Sequence, residues 1–182
     1  MKPSLAFCLA AALAFLPPRA HAALEPGAQA PSFSAPAALA GQTFTFVLAQ
    51  ALSRGPVVLY FYPAAFTSGC TVEAHLFADA TERYSAMGAT VIGVSGDDLE
   101  TLKRFSLGPC GSKFAVASDH DGAIMRAYDS EHAIRPGMAA RISYVISPEG
   151  KVIYAYSDMN PEKHVENTLQ ALQRWRENLP AH

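Results

Sequence analysis

The run Val57-Val58-Leu59-Tyr60-Phe61 constrains this chain most. It is short, β-branched and aromatic, the pattern of a strand buried on both faces. Such a strand needs cover on two sides, and the residues that follow supply it. Thr71-Val72-Glu73-Ala74-His75-Leu76 begins a helical pattern carried on by Ala80, Tyr84 and Met87 and stopped at Gly88. Thr90-Val91-Ile92-Gly93-Val94-Ser95 reads as a second buried strand. Asp97-Asp98-Leu99-Glu100 then gives an N-cap acid with Glu three residues on, and Leu99, Leu102 and Phe105 form an inner face up to Gly108-Pro109.

The remaining elements are shorter. Gln42 to Val47 reads as a strand, Leu48 to Arg54 as a turn of helix, Phe114 to Ala117 as a strand and Ala123 to Tyr128 as a helix. Ser130 to Ala140 is a polar, Gly/Pro-marked loop. Ile142–Ile146 and Lys151–Tyr156 flank Ser147-Pro148-Glu149-Gly150, a hairpin signal. Asn160-Pro161 opens a last helix with Val165, Leu169, Leu172 and Trp175 inward. Ala23 to Leu39, rich in Ala and Pro and without a period, reads as an extended arm. This order predicts an α/β domain with a mixed central sheet and helices on both faces.

The first 22 residues stand apart. Lys2 gives a positive start, Leu5 to Leu16 is twelve apolar residues, and Ala20-His21-Ala22 has the form of a cleavage site. This is the pattern of a secretory signal peptide, and the apolar run falls short of the roughly 20 residues of a membrane anchor. Residues 1–22 are therefore expected to be removed, leaving 23–182 as one domain in the periplasm or outside the cell. Of 14 basic residues, Lys2 and Arg19 go, so 12 face 16 acids, a net charge of −4. That balance carries no electrostatic footprint for nucleic acid or an anionic membrane surface. Cys70 and Cys110 are the cysteines that remain, in a compartment that permits a disulfide. The six His show no ligand spacing, and Gly93-x-x-Gly96 lacks the rest of a phosphate-binding loop, so neither metal nor cofactor is expected.

Cys70 falls where the central strand gives way to a helix N-terminus. Unpaired N–H groups and the positive end of the helix dipole stabilise a thiolate there, and the thiolate is the nucleophilic form. Thr67, three residues earlier, can aim a hydroxyl at the sulfur, and Pro63 fixes the chain at the strand end. Attack by such a thiolate spreads negative charge from sulfur onto the group attacked, so the site also wants a cation. Arg141, just before a strand, is the first candidate, with Arg135 and Arg126 as alternatives. Glu73 either holds that arginine or serves the helix dipole alone.

The spacing Pro63-x-x-x-Thr67-x-x-Cys70 resembles the P-x-x-x-T-x-x-C loop of the peroxiredoxins. Phe61-Tyr62-Pro63, Phe66-Thr67 and Gly69-Cys70-Thr71-Val72-Glu73 look most like the bacterioferritin-comigratory, or Q-type, subgroup of the alkyl hydroperoxide reductase/thiol-specific antioxidant family. The likeness runs from about Gly27 to Trp175. It implies a thioredoxin-like fold with an N-terminal extension, and a thiol peroxidase acting on hydrogen peroxide and small organic hydroperoxides. It also implies a sulfenic acid at Cys70, Arg141 as the site arginine, and Pro63 shielding the site from water. A thioredoxin-like protein or a small thiol would be the reductant, and the protein a monomer or homodimer. Many Q-type members carry a second cysteine five residues after the first. His75 stands there in this chain, so Cys110 is the expected resolving residue. Two other readings stay open: an exported thiol–disulfide oxidoreductase, which normally wants C-x-x-C where Glu73 stands, and a non-catalytic binding protein. The rate at which peroxide oxidises Cys70 separates all three.

Overall fold

A computed structural model describes residues 23–179. The expected signal peptide, residues 1–22, lies outside them. Twelve elements follow in order: β1 (Ser34–Leu39), β2 (Gln42–Val47), α1 (Leu48–Leu52), β3 (Val57–Phe61), α2 (Ser68–Ala86), β4 (Thr90–Ser95), α3 (Leu99–Leu107), β5 (Ala115–Ser118), α4 (Ala123–Ala127), β6 (Ile142–Ile146), β7 (Val152–Ser157) and α5 (Glu162–Glu177). The seven strands form one sheet in the order β2-β1-β5-β4-β3-β6-β7. β4 is the middle strand, and β3 lies beside it inside the sheet, parallel to β4 and antiparallel to β6. The sheet is mixed, and the fold is the thioredoxin-like one expected.

Alternation along β3 divides the interior. Val57, Leu59 and Phe61 pack on one face with Leu48 and Leu52 of α1 and Met125 of α4. Val58, Tyr60 and Tyr62 pack on the other with Ala74 and Phe77 of α2, Leu102 and Phe105 of α3, and Leu169 and Leu172 of α5. Helices therefore cover both faces, and all five residues of β3 are buried. In β6, Ile142, Tyr144 and Ile146 face the first layer and Val145 the second. Arg141 and Ser143, in step with Val145, share its face.

The structure corrects four local expectations. The arm Ala23 to Leu39 contains a true strand, β1, hydrogen-bonded to β2 on one side and β5 on the other. Its alanines give no apolar alternation, yet Ala35, Ala37 and Ala38 are buried because small side chains let neighbours close over them. The β1–β2 turn is Ala40-Gly41 with φ of 49° and 73°, a conformation alanine rarely takes, so the sequence carried a weak hairpin signal. The N-cap of α3 is Asp98, whose Oδ1 accepts from Thr101 N at 2.8 Å, rather than Asp97. The buried stripe of α2 runs through Cys70, Glu73, Ala74, Phe77, Ala80 and Tyr84, while Val72 faces solvent. Trp175 is only half-buried; His164 and Thr168 take places on the inner face of α5.

Candidate active site

The site lies at the C-terminal end of β3, where the chain leaves the sheet and turns into α2. Tyr62 N donates to Val94 O (3.1 Å), which extends the strand by one residue before Pro63. Pro63, Ala64 and Ala65 are half-buried, and Phe66 and Thr67 are exposed. Phe66 has φ of 62°, an uncommon value for an aromatic residue, and its ring meets Phe105 of α3 edge-on at 5.2 Å. Asp97 anchors the loop from below. Its Oδ2 accepts from Ala65 N and from Ser95 Oγ, both at 2.7 Å.

Cys70 occupies the first turn of α2 and is 2 % exposed. Arg141 Nη2 reaches its Sγ at 3.4 Å, and Nη1 of the same guanidinium donates to Glu73 Oε2. Arg141 is 4 % exposed and Glu73 fully buried. One cation thus spans a thiol and a carboxyl three residues apart on one helix. Gly69 makes room for it: a Cβ there would stand 3.1 Å from Nη2. Burial pushes Glu73 up to about 8, with Arg141 acting in the opposite sense through its charge and its hydrogen bond.

Behind this trio sits a polar layer unexpected from the sequence. His164 of α5, fully buried, has Nδ1 3.9 Å from Glu73 Oε1 and 2.8 Å from Ser143 Oγ. Its Nε2 lies 2.9 Å from the Asp158 carbonyl. Burial pushes this imidazole down to about 4, against a smaller opposing effect of the Asp158 carbonyl. A signal for these residues existed. Ser143 interrupts an otherwise apolar buried strand, and His164, Thr168 and Leu172 share one helical stripe.

Of the residues singled out from sequence, Cys70, Glu73 and Arg141 come together. Thr67 turns its hydroxyl to the Ala64 carbonyl (3.0 Å) rather than to the sulfur. His75 is exposed. Arg126 binds the Asp121 carbonyl and lies 3.7 Å from Glu131, away from Cys70. Arg135 is exposed in the loop before β6. Cys110, fully buried, follows α3 in a turn held by Cys110 N to Phe105 O (3.1 Å) and Lys113 N to Cys110 O (3.0 Å). Burial pushes its thiol well up. Both cysteines are free thiols. Among the described residues no group of three or more His, Cys, Asp or Glu is placed to hold a metal, and no helix is long and apolar enough to cross a membrane.

Residues 26–155 match the model of the AhpC/TSA family. Peroxiredoxin Q, chloroplastic, of Triticum aestivum is 39% identical over 119 residues, covering 65% of this chain and 54% of that protein. Putative peroxiredoxin Q, chloroplastic, of Oryza sativa subsp. indica is 35% identical over 148 residues, 81% of this chain and 66% of that one. The chain thus spans between about half and two thirds of the length of these curated relatives. Among solved structures, Xanthomonas campestris peroxiredoxin Q superposes with a TM-score of 0.67 at 30% identity, over 76% of this chain and 89% of that one. Peroxidoxin BcpB from Mycobacterium tuberculosis gives 0.76 at 27% identity, over 83% and 97%.

Proposed function

Because the chain belongs to the AhpC/TSA family, in its Q-type peroxiredoxin branch, we propose that it is a thiol peroxidase with Cys70 as its nucleophile. The observation that carries this reading is the Arg141 guanidinium at 3.4 Å from Cys70 Sγ, inside the first turn of a helix. The thiolate attacks one peroxide oxygen and the O–O bond breaks. Sulfur loses two electrons and becomes a sulfenic acid, and the departing oxygen takes a proton and leaves as water or alcohol. Arg141 counters the charge that develops over sulfur and oxygen. Thr67 lies one turn before the sulfur, and rotating its hydroxyl off the Ala64 carbonyl would let it donate to the bound peroxide. Pro63 shields the sulfur from bulk water.

Cys110 then resolves the sulfenic acid. Its sulfur attacks Cys70 Sγ, a disulfide forms, and the departing hydroxyl takes the Cys110 proton and leaves as water. A disulfide holds Cα atoms roughly 4.4–6.8 Å apart, and Cys110 sits protonated in the core after α3. The Gly108–Gly111 turn therefore unwinds before the bond closes, a movement helped by its two glycines. A thioredoxin-like dithiol or a small thiol returns both sulfurs to the reduced state. The residue pattern of 1–22 supports export, with the enzyme working in the periplasm or outside the cell.

Stopped-flow mixing of reduced protein with hydrogen peroxide tests the first step. Rapid single-turnover oxidation is expected in wild type and in Cys110→Ser and none in Cys70→Ser. A rate no faster than that of an ordinary thiol overturns the reading. Mass spectrometry of the peroxide-treated, alkylated protein tests the second step. A Cys70–Cys110 peptide within monomers supports it, and a Cys70 sulfenic acid beside an alkylated Cys110 overturns it.

A further inference from the structure

One buried cation, Arg141, stands between two groups able to be anions, Cys70 Sγ and the Glu73 carboxyl. Two buried anions around one cation leave an uncompensated charge, which is costly. The surroundings decide which group gives way. Glu73 Oε2 receives Nη1, but Oε1 has no hydrogen-bond partner among the described residues. Facing it across 3.9 Å is His164 Nδ1.

His164 has nothing to donate there. The Asp158 carbonyl only accepts, so the imidazole hydrogen is on Nε2, 2.9 Å away. Nδ1 is then a lone pair, and the Ser143 hydroxyl donates to it at 2.8 Å. The Tyr156 ring of β7 packs edge-on against the imidazole at 4.9 Å and brings no charge. On the sheet side, Tyr60 is buried and held neutral, chiefly by desolvation. An ionised Oε1 would face the electron-rich edge of the ring across 3.9 Å with no donor to satisfy it.

We propose that His164 is a positioning residue of this site: by facing Oε1 with a filled lone pair and no donor it keeps Glu73 in its acid form, which leaves Arg141 with Cys70 Sγ as its anion. The inference rests on the reading of Cys70 as the peroxide-reacting thiol. The opposite directions in which burial moves the two groups, Glu73 up to about 8 and His164 down to about 4, agree with it. Ser143 is the lock. Without its hydroxyl, the ring can carry its hydrogen on Nδ1 instead, which turns a donor toward Oε1 and favours the carboxylate beside Arg141.

Infrared spectroscopy of the reduced full chain tests this without peroxide. A carboxylic-acid carbonyl band is expected at neutral pH and should vanish in Glu73→Gln. In Ser143→Ala the midpoint of that band should fall by about one pH unit or more, the scale of a hydrogen bond gained by the anion. Nitrogen NMR should show His164 moving from its neutral Nε2–H tautomer toward the Nδ1–H tautomer. His164→Gln, whose amide can donate to Oε1, should shift the midpoint the same way, and in both variants Cys70 oxidation should slow several-fold. The proposal is overturned if Glu73→Gln removes no acid band, or if the midpoint is the same in all three proteins. A Cys70 inert to peroxide would instead refute the peroxidase reading, since the infrared result stands apart from it.

Discussion

Cys70 and Cys110 are both free, both almost without exposure, and both packed in the layer between the sheet and α2, α3 and α5. Their neighbours differ. Cys70 has a guanidinium nitrogen at 3.4 Å and the open N-terminal turn of a nineteen-residue helix. Cys110 follows a helix C-terminus, and desolvation is the influence that moves its thiol. Burial alone therefore does not distinguish the two thiols. What separates them is whether the fold brings a cation to the sulfur.

The broadest way to break this comparison is competitive alkylation of the reduced protein at neutral pH. Cys70 is expected to be labelled at least about a hundredfold faster than Cys110, as electropositive surroundings favour the thiolate. Cys110 should stay unlabelled well into the alkaline range, because its thiol is pushed up. Equal labelling of the two would end the distinction.

Next in size is Arg141→Lys, which keeps the charge but loses the fork that spans Sγ and Oε2. Peroxide oxidation of Cys70 should slow by at least about tenfold, roughly 1.4 kcal/mol. Arg135→Lys should stay within about twofold, and the reverse result would give the role to Arg135.

Stability against pH sharpens the comparison further. Glu73 has a folded value raised to about 8, so its contribution is fully present below its unfolded value of 4.5 and is lost as pH rises through 8. His164 is lowered to about 4 from 6.5, so its contribution is present above 6.5 and lost as pH falls toward 4. From 4.5 to 6.5 the two slopes oppose and cancel. Above 6.5 the Glu73 slope acts alone, and denaturant midpoints of wild type should fall by up to about 2 kcal/mol in stability as pH approaches 8. That fall should be absent from Glu73→Gln.

The smallest effect belongs to Gly69→Ala. The added methyl crowds Nη2 from 3.1 Å, so the guanidinium must give by a few tenths of an ångström. Cys70 oxidation is expected to slow roughly threefold with thermal stability unchanged.

Cys70, Glu73 and Arg141 were legible because each is marked locally. Cys70 falls at a strand-to-helix junction, Glu73 one turn on, and Arg141 just before a buried strand. The strands β3, β4 and β6 announced themselves as apolar runs. The parts that were not legible depend on distant pairing. β1 is a strand because β2 and β5 flank it, which an Ala/Pro stretch cannot signal alone. His164 lies 91 residues beyond Glu73 in sequence and meets it only because α5 packs on α2. Asp97 looked like a helix cap because Glu100 follows it, but Asp98 filled that role and left Asp97 free for the loop.

That displacement has a consequence for transplanting the site. The loop Pro63–Thr67 takes its shape from a carboxylate on the neighbouring β4–α3 connection, through Ala65 N and Ser95. The motif is therefore not a portable cassette. Grafted onto another strand-to-helix junction, its eight residues would carry the thiol and the hydroxyl but not the peg that fixes their spacing. A successful graft would have to bring a second strand end with it.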